Sequence, residues 1–179
     1  MQLIINLPDR ETVLARNRQR WQEVHNDSRW ANHPYRIETD GFGRIVMTPP
    51  AGGAHSGRQE NILLKLKEHL GGRALPECPI STVDGVRAAD IGWYSLDRYA
   101  SVRGQLAFET APEICVEILS PRNTSEEMQT KRRLYFEAGA LECWQCDLEG
   151  RMSYYIRNEP EKAKLKSARC PDFPDVIED

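Results

Sequence analysis

The chain has 179 residues, 40% of them hydrophobic and 28% charged, which suits one globular domain and gives no sign of a disordered or fibrous polymer. Its formal net charge is -3, which speaks against a strong non-specific nucleic-acid binder, since such proteins carry a basic surplus for phosphate contacts. A local basic groove, or a bound cation supplying positive charge, is compatible with that balance.

No run of about 18 apolar residues occurs, so no membrane span is expected. The amino-terminal stretch MQLIINLPDRETV lacks the basic start and small-residue cleavage site of a signal peptide, so the cytoplasm is the expected location.

In chain order, residues 10–25 read as a helix that Asp9 can cap. Its apolar positions (Val13, Leu14, Trp21 and Val24) are sparse, which places it on the outside. Residues 35–47 read as a hairpin turning at Asp40-Gly41. A Pro/Gly-rich break follows. A helix is then expected over 56–70, ended by Gly71-Gly72. Extended segments are expected at Ile80–Val83 and Val86–Tyr94, joined at Asp84-Gly85. Residues 95–110 lack a clear period and read as loop or irregular helix.

Ile114–Leu119 is a short apolar run of the kind that forms a buried central strand. A second strong helix spans 124–138, with Thr124 or Ser125 as cap and Glu126 and Glu127 in its first turn. Strands are expected at Leu141–Cys146, Met152–Arg157 and Ala163–Ser167, with a turn at Glu149-Gly150 and an irregular Pro- and Asp-rich tail. This order implies an α/β sandwich around a mixed central sheet.

Five cysteines, an odd number, argue against a disulfide framework. Cys143 and Cys146 form a CxxC, yet on a strand residues three apart point to opposite faces. No second CxxC or histidine pair completes a zinc site, so packing accounts for them.

Four residues stand out chemically. Asp90 lies in a strand, where Asp competes for backbone hydrogen bonds. Alternation puts Val86, Ala88, Asp90 and Gly92 on one face, which is either a wet edge or a rigid mount for a cation ligand. Glu117 interrupts the apolar run ICVEIL, so it must be desolvated and then either paired with an arginine or bound to metal. Lys131 shares a helix face with Met128, Tyr135 and Ala138, and it either snorkels outward or reaches a buried anion. His55 begins the inward face of its helix, which continues through Gln59, Ile62, Leu66 and Leu70. It serves as an acid/base group beside a metal, or merely as a packing or capping residue.

The order of these pieces resembles the PD-(D/E)xK nuclease superfamily, and more closely a bacterial branch of restriction-endonuclease-like proteins. The resemblance covers about residues 35–157. It rests on Glu38 with Asp40-Gly41, His55 and Asn61-Ile62, AADI at 88–91, APEICVEILSP at 111–121, Lys131 with Tyr135, and GALECWQCD at 139–147.

Two departures stand out. The superfamily's Pro-Asp is Ala89-Asp90, and its E-x-K reads Glu117-Ile118-Leu119. The branch is thought to place its lysine on the following helix, where Lys131 stands, with an acidic residue four earlier, where Glu127 stands. The resemblance implies a single restriction-endonuclease-like domain over 1–179, with a helical appendage at 1–34, the nuclease core at 35–157 and an extension at 158–179. It further implies a metal held by Asp90, Glu117 and the Ile118 carbonyl. These are hard oxygens suited to Mg²⁺, with Mn²⁺ as substitute. Lys131 and His55 complete the implied catalytic set. Arg122, Arg132 and Arg133 lie near this site in sequence, and either contact backbone phosphates or are simply solvated at the surface. The implied partner is DNA, and a homodimer is compatible with duplex cleavage. The alternative is a catalytically inactive nuclease-fold protein that binds nucleic acid or a protein partner.

Overall fold

A mixed sheet organises the molecule, seen in a computed structural model that describes residues 7–30 and 32–178. Residues 1–6, the first part of the stretch read as lacking a leader, lie outside the described residues, as do Ala31 and Asp179.

The chain begins with α1 (Arg10–Asn26), capped by Asp9, which accepts from the Thr12 N–H at 2.8 Å. The hairpin β1 (Arg36–Thr39) and β2 (Ile45–Thr48) follows. Its turn is held by Asp40, whose Oδ1 accepts from the Phe42 and Arg44 N–H groups. Then come α2 (Gly53–Leu70), β3 (Arg73–Thr82), β4 (Gly85–Tyr94) and α3 (Leu96–Val102). The second half contains β5 (Ile114–Ile118), α4 (Ser125–Glu137), β6 (Glu142–Cys146), β7 (Met152–Ile156) and β8 (Glu159–Lys164).

The six-stranded sheet has the order β3-β4-β5-β6-β7-β8. The β5–β6 pair is parallel and the others are antiparallel. The α4 crossover between β5 and β6 is the helical connection a parallel pair requires. The chain thus forms the α/β sandwich that the element order implied.

Two apolar layers cover the sheet. On one face Ile62 and Leu66 of α2 pack with Ile91, Val116, Trp144 and Phe173. On the other, Tyr135 and Phe136 of α4 pack with Cys78, Ala89, Cys115 and Cys143. Cys143 and Cys146 therefore belong to opposite layers, and all five cysteines are buried thiols that form no disulfide with one another.

Several boundaries differ from the sequence reading. Helix α2 starts at Gly53 rather than Ser56, because two small residues of the Gly-rich break join its first turn. Strand β3 is ten residues long and runs through Pro76 and Pro79, well before the expected Ile80. It tolerates both prolines as an edge strand, which needs N–H donors on one side alone. The last strand is Glu159–Lys164 rather than Ala163–Ser167. Its charged sequence EPEKAK hides it from hydrophobic patterning yet suits the opposite edge, where charge deters further pairing.

The tail is irregular as expected, but it is not peripheral. Phe173 and Ile177 are buried against Trp144 and its neighbours. Glu142 anchors it, accepting from Ser167 Oγ at 2.6 Å, the Arg169 N–H at 2.8 Å and Trp144 Nε1 at 2.7 Å. Helix α1 buries a polar residue: Asn17 Nδ2 donates to the Thr82 and Val83 carbonyls at the β3–β4 turn. That turn pivots on Gly85 (φ 81°), where an added Cβ would sit 2.2 Å from the Thr39 carbonyl oxygen.

Gly85→Ala is therefore expected to cost more than about 2 kcal/mol, from steric overlap and positive φ together. Gly53→Ala, in an open first turn, should be neutral or stabilising by a few tenths of a kcal/mol. Urea unfolding of the two variants checks both; comparable losses would refute the assignment.

Candidate active site

The site begins where two central strands separate. Strands β4 and β5 pair over Ile91–Trp93 and Ile114–Val116 alone. Beyond that, Asp90 Oδ2 accepts the Ile118 N–H at 2.7 Å, so a side chain replaces the missing main-chain rung. The amino-terminal half of β4 is then without a strand on that side. Side chains of β1 satisfy it: Thr39 Oγ1 accepts from the Val86 N–H and Glu38 Oε1 from the Ala88 N–H, at 3.0 and 2.8 Å.

Alternation along β4 also slips at Asp90. Ala89 packs in the α4-side layer, whereas Ile91, two residues on, packs in the α2-side layer. The Glu77/Asp90 rung is absent from a ladder otherwise in register, and Glu77 has φ 48°. Asp90 thus does not simply share a face with Val86, Ala88 and Gly92, as a regular strand would require. It sits at a kink, and Gln59 Nε2 of α2 donates to its carbonyl at 2.7 Å.

Glu117 is 7% exposed and fully engaged: Tyr135 OH donates to Oε1 at 2.6 Å and Lys131 Nζ to Oε2 at 2.9 Å. Tyr135 and Lys131 are one helical turn apart on the sheet-facing side of α4. Burial pushes the Glu117 pKa up to about 7, with Lys131 opposing and the Asp90 charge adding to the rise. Burial works against the Lys131 ammonium, but Glu117 and Glu38 outweigh it and hold its pKa above the ordinary value. The Tyr135 hydroxyl is raised by burial and by Glu117, so it remains a donor.

His55 Nε2, in the first turn of α2, lies 3.7 Å from Asp90 Oδ1, close but beyond hydrogen-bond range. Arg36 Nη1 reaches the same oxygen at 2.6 Å and Glu77 Oε2 at 3.2 Å. Burial disfavours the Arg36 charge, and Asp90 with Glu117 more than restores it, raising its pKa.

These groups open into a cavity of about 840 Å³, walled by the hairpin, the start of α2 and the β5–α4 connection. The structure therefore brings Asp90, Glu117, Ile118, Lys131 and His55 to one cavity. Of the three arginines near it in sequence, Arg122 lines the cavity. Arg132 turns away to stack on Tyr155 at 3.9 Å, and Arg133 pairs with Glu137 at 2.8 Å.

Sequence reasoning missed Arg36 and Glu77. Arg36 lies two residues before Glu38 on β1, so strand alternation gives them the same side, and that was the available signal. Nothing local in the segment PECP announces the positive φ of Glu77.

With this geometry in view, residues 21–178 match the Uma2 family, described as "Putative restriction endonuclease". The chain belongs to the Uma2 family. The crystal structure of a "putative nuclease belonging to DUF820" from Anabaena variabilis ATCC 29413 superposes with a TM-score of 0.63. It shares 18% sequence identity and covers 79% of this chain and 86% of that chain, which speaks to the fold. No protein of curated function matches significantly. Uma2 membership supports a nuclease function in general terms and places the restriction-endonuclease-like resemblance on firm ground. The match begins inside α1, so the first half of that helix lies outside the Uma2 frame.

Glu117 ionises less readily folded than unfolded, so its protonated form stabilises the fold. That contribution is complete below its ordinary pKa of 4.5 and is lost as pH rises through about 7. In chelator, stability relative to Glu117→Gln should therefore fall by on the order of 3 kcal/mol between pH 5 and pH 8. Denaturant midpoints at the two pH values measure this, and a pH-independent difference would contradict it.

Proposed function

We propose that this chain is a divalent-metal-dependent endonuclease that hydrolyses phosphodiester bonds in DNA. One observation carries the reading: Asp90 and Glu117 sit side by side where β4 and β5 part, with the Lys131 ammonium on Glu117. Buried carboxylates on central strands need a cation to justify their desolvation.

The charge around them fits a metal ion. Five carboxyl groups (Glu38, Glu77, Asp84, Asp90 and Glu117) face three cations (Arg36, Arg87 and Lys131), so acidic groups outnumber basic ones. Among the described residues no three His, Cys, Asp or Glu side chains form a ready ligand cluster. The donors are thus the two carboxylates and the Ile118 carbonyl, all hard oxygens suited to Mg²⁺ and to Mn²⁺ in its place. When bound, the ion supplies Lewis acidity at the phosphate and a more acidic water.

The chain's own groups do the rest. Lys131 opposes the burial that favours protonated Glu117 and presents N–H donors toward the cavity for charge developing on the phosphate. Tyr135 fixes the Glu117 rotamer. His55 stands beside Asp90 as a proton acceptor or donor at the cavity wall. Arg122 meets a flanking phosphate at the rim. A twofold pair of chains is the species that cuts both strands.

A second reading has its own support. All four carboxylate oxygens of Asp90 and Glu117 already have intramolecular partners. That is the state expected of a nuclease fold that binds nucleic acid without cleaving it.

Nicking of supercoiled plasmid in Mg²⁺ separates the two. Wild type should nick, chelator should stop it, and Asp90→Asn or Glu117→Gln should lower the rate roughly 100-fold or more. Equal nicking by wild type and Glu117→Gln would sink the endonuclease reading. DNA binding without any nicking would favour the second.

A further inference from the structure

We propose that Arg36 is a resident counter-cation of this site, competing with the divalent ion for Asp90 and leaving Asp90 when the ion binds. The inference rests on the metal reading above and goes beyond it by naming the exchange partner.

The four carboxylate oxygens are not equally available. Glu117 is held by two side chains of α4, which is packed into the core. Asp90 Oδ2 is held by the main chain of β5. Asp90 Oδ1 is different: its hydrogen-bond partner is Arg36, carried by a two-stranded hairpin outside the main sheet. A guanidinium 2.6 Å from that oxygen sets its positive charge against a divalent ion bound to the same oxygen, so the two repel and compete for it.

Arg36 is also poorly satisfied where it lies. Its Nε is buried without a hydrogen-bond partner. Its second carboxylate, Glu77, faces the opening and is half exposed, on a residue whose positive φ places it off the regular strand. Glu77 can retain the guanidinium after Asp90 is surrendered, so the exchange needs a short swing rather than expulsion of a bare charge into solvent. Without metal, Arg36 neutralises Asp90 and keeps the kinked strand intact. With metal, it leaves Asp90 and stays with Glu77 at the cavity opening.

Mn²⁺ binding to the metal-free full chain, measured by calorimetry, tests this without reference to turnover. Arg36→Met should bind Mn²⁺ at least tenfold more tightly than wild type. Arg36→Gln serves as a second neutral variant should the first fold poorly. Tighter binding is opposite in sign to what structural damage would cause.

The Nε–H resonance of Arg36 in the wild type, assigned by its absence in Arg36→Lys, should shift on adding Mg²⁺. If wild type binds Mn²⁺ and Glu117→Gln does not, yet the neutral variants bind no more tightly, this inference is overturned and the metal site stands. A tighter variant with an unmoved Arg36 resonance also overturns it, since charge alone would then explain the gain. Absence of Mn²⁺ binding in wild type and neutral variants alike overturns both readings.

Discussion

The bond from the Ile118 N–H to Asp90 Oδ2 is the constraint on which the site depends. It replaces a rung of the sheet with a carboxylate, at the position where β4 and β5 stop pairing. A buried hydrogen bond to a charged acceptor is worth roughly 1.5–3 kcal/mol, enough to hold the strands together at the fork. Because it binds the residue next to Glu117, it also sets the spacing of the two carboxylates. The fork creates the cavity, and the side chains of β1 and α4 fill its inner end.

That filling explains how the chain manages without a lysine two residues after Glu117. Leu119 occupies the place and leads out of the strand. The helix that must cross from β5 to the parallel β6 passes over the sheet at this point, and its apolar stripe carries Lys131 and Tyr135 back to Glu117. The crossover connection thus delivers the ammonium that the strand itself lacks. Burial is tolerable because each buried charge has a partner: Glu117 with Lys131, Asp90 with Arg36, Glu38 with Arg87.

The regions outside the central fork hold its walls in place. Helix α1 ties the hairpin to the β3–β4 turn, with Arg16 and Arg20 donating to the Gly41 and Gly43 carbonyls. It therefore steadies the hairpin that carries Arg36 and Glu38. The tail seals the opposite layer through Phe173 and Ile177, anchored by buried Glu142. Neither contribution shows as apolar periodicity, since both work through polar anchors on irregular or sparsely apolar segments.

Much of the layout was legible in the residues themselves. Periodicity marked α2 and α4, the Asp9 cap marked the start of α1, and the apolar run marked β5 with its misplaced Glu117. The face shared by Met128, Lys131 and Tyr135 followed from helical spacing, and the opposed faces of Cys143 and Cys146 followed from strand spacing. Boundaries failed where local signals were weak: β3 runs through two prolines, and β8 is almost wholly polar. The sequence by itself thus determined the order of elements, the α/β class and three of the charged residues at the site. Tertiary structure alone decided the kink at Asp90 and Glu77, the approach of Arg36 from a separate hairpin, and the departure of Arg132 toward Tyr155. Those depend on which strands part and which edges meet, and pairing between residues distant in sequence leaves no local pattern to read.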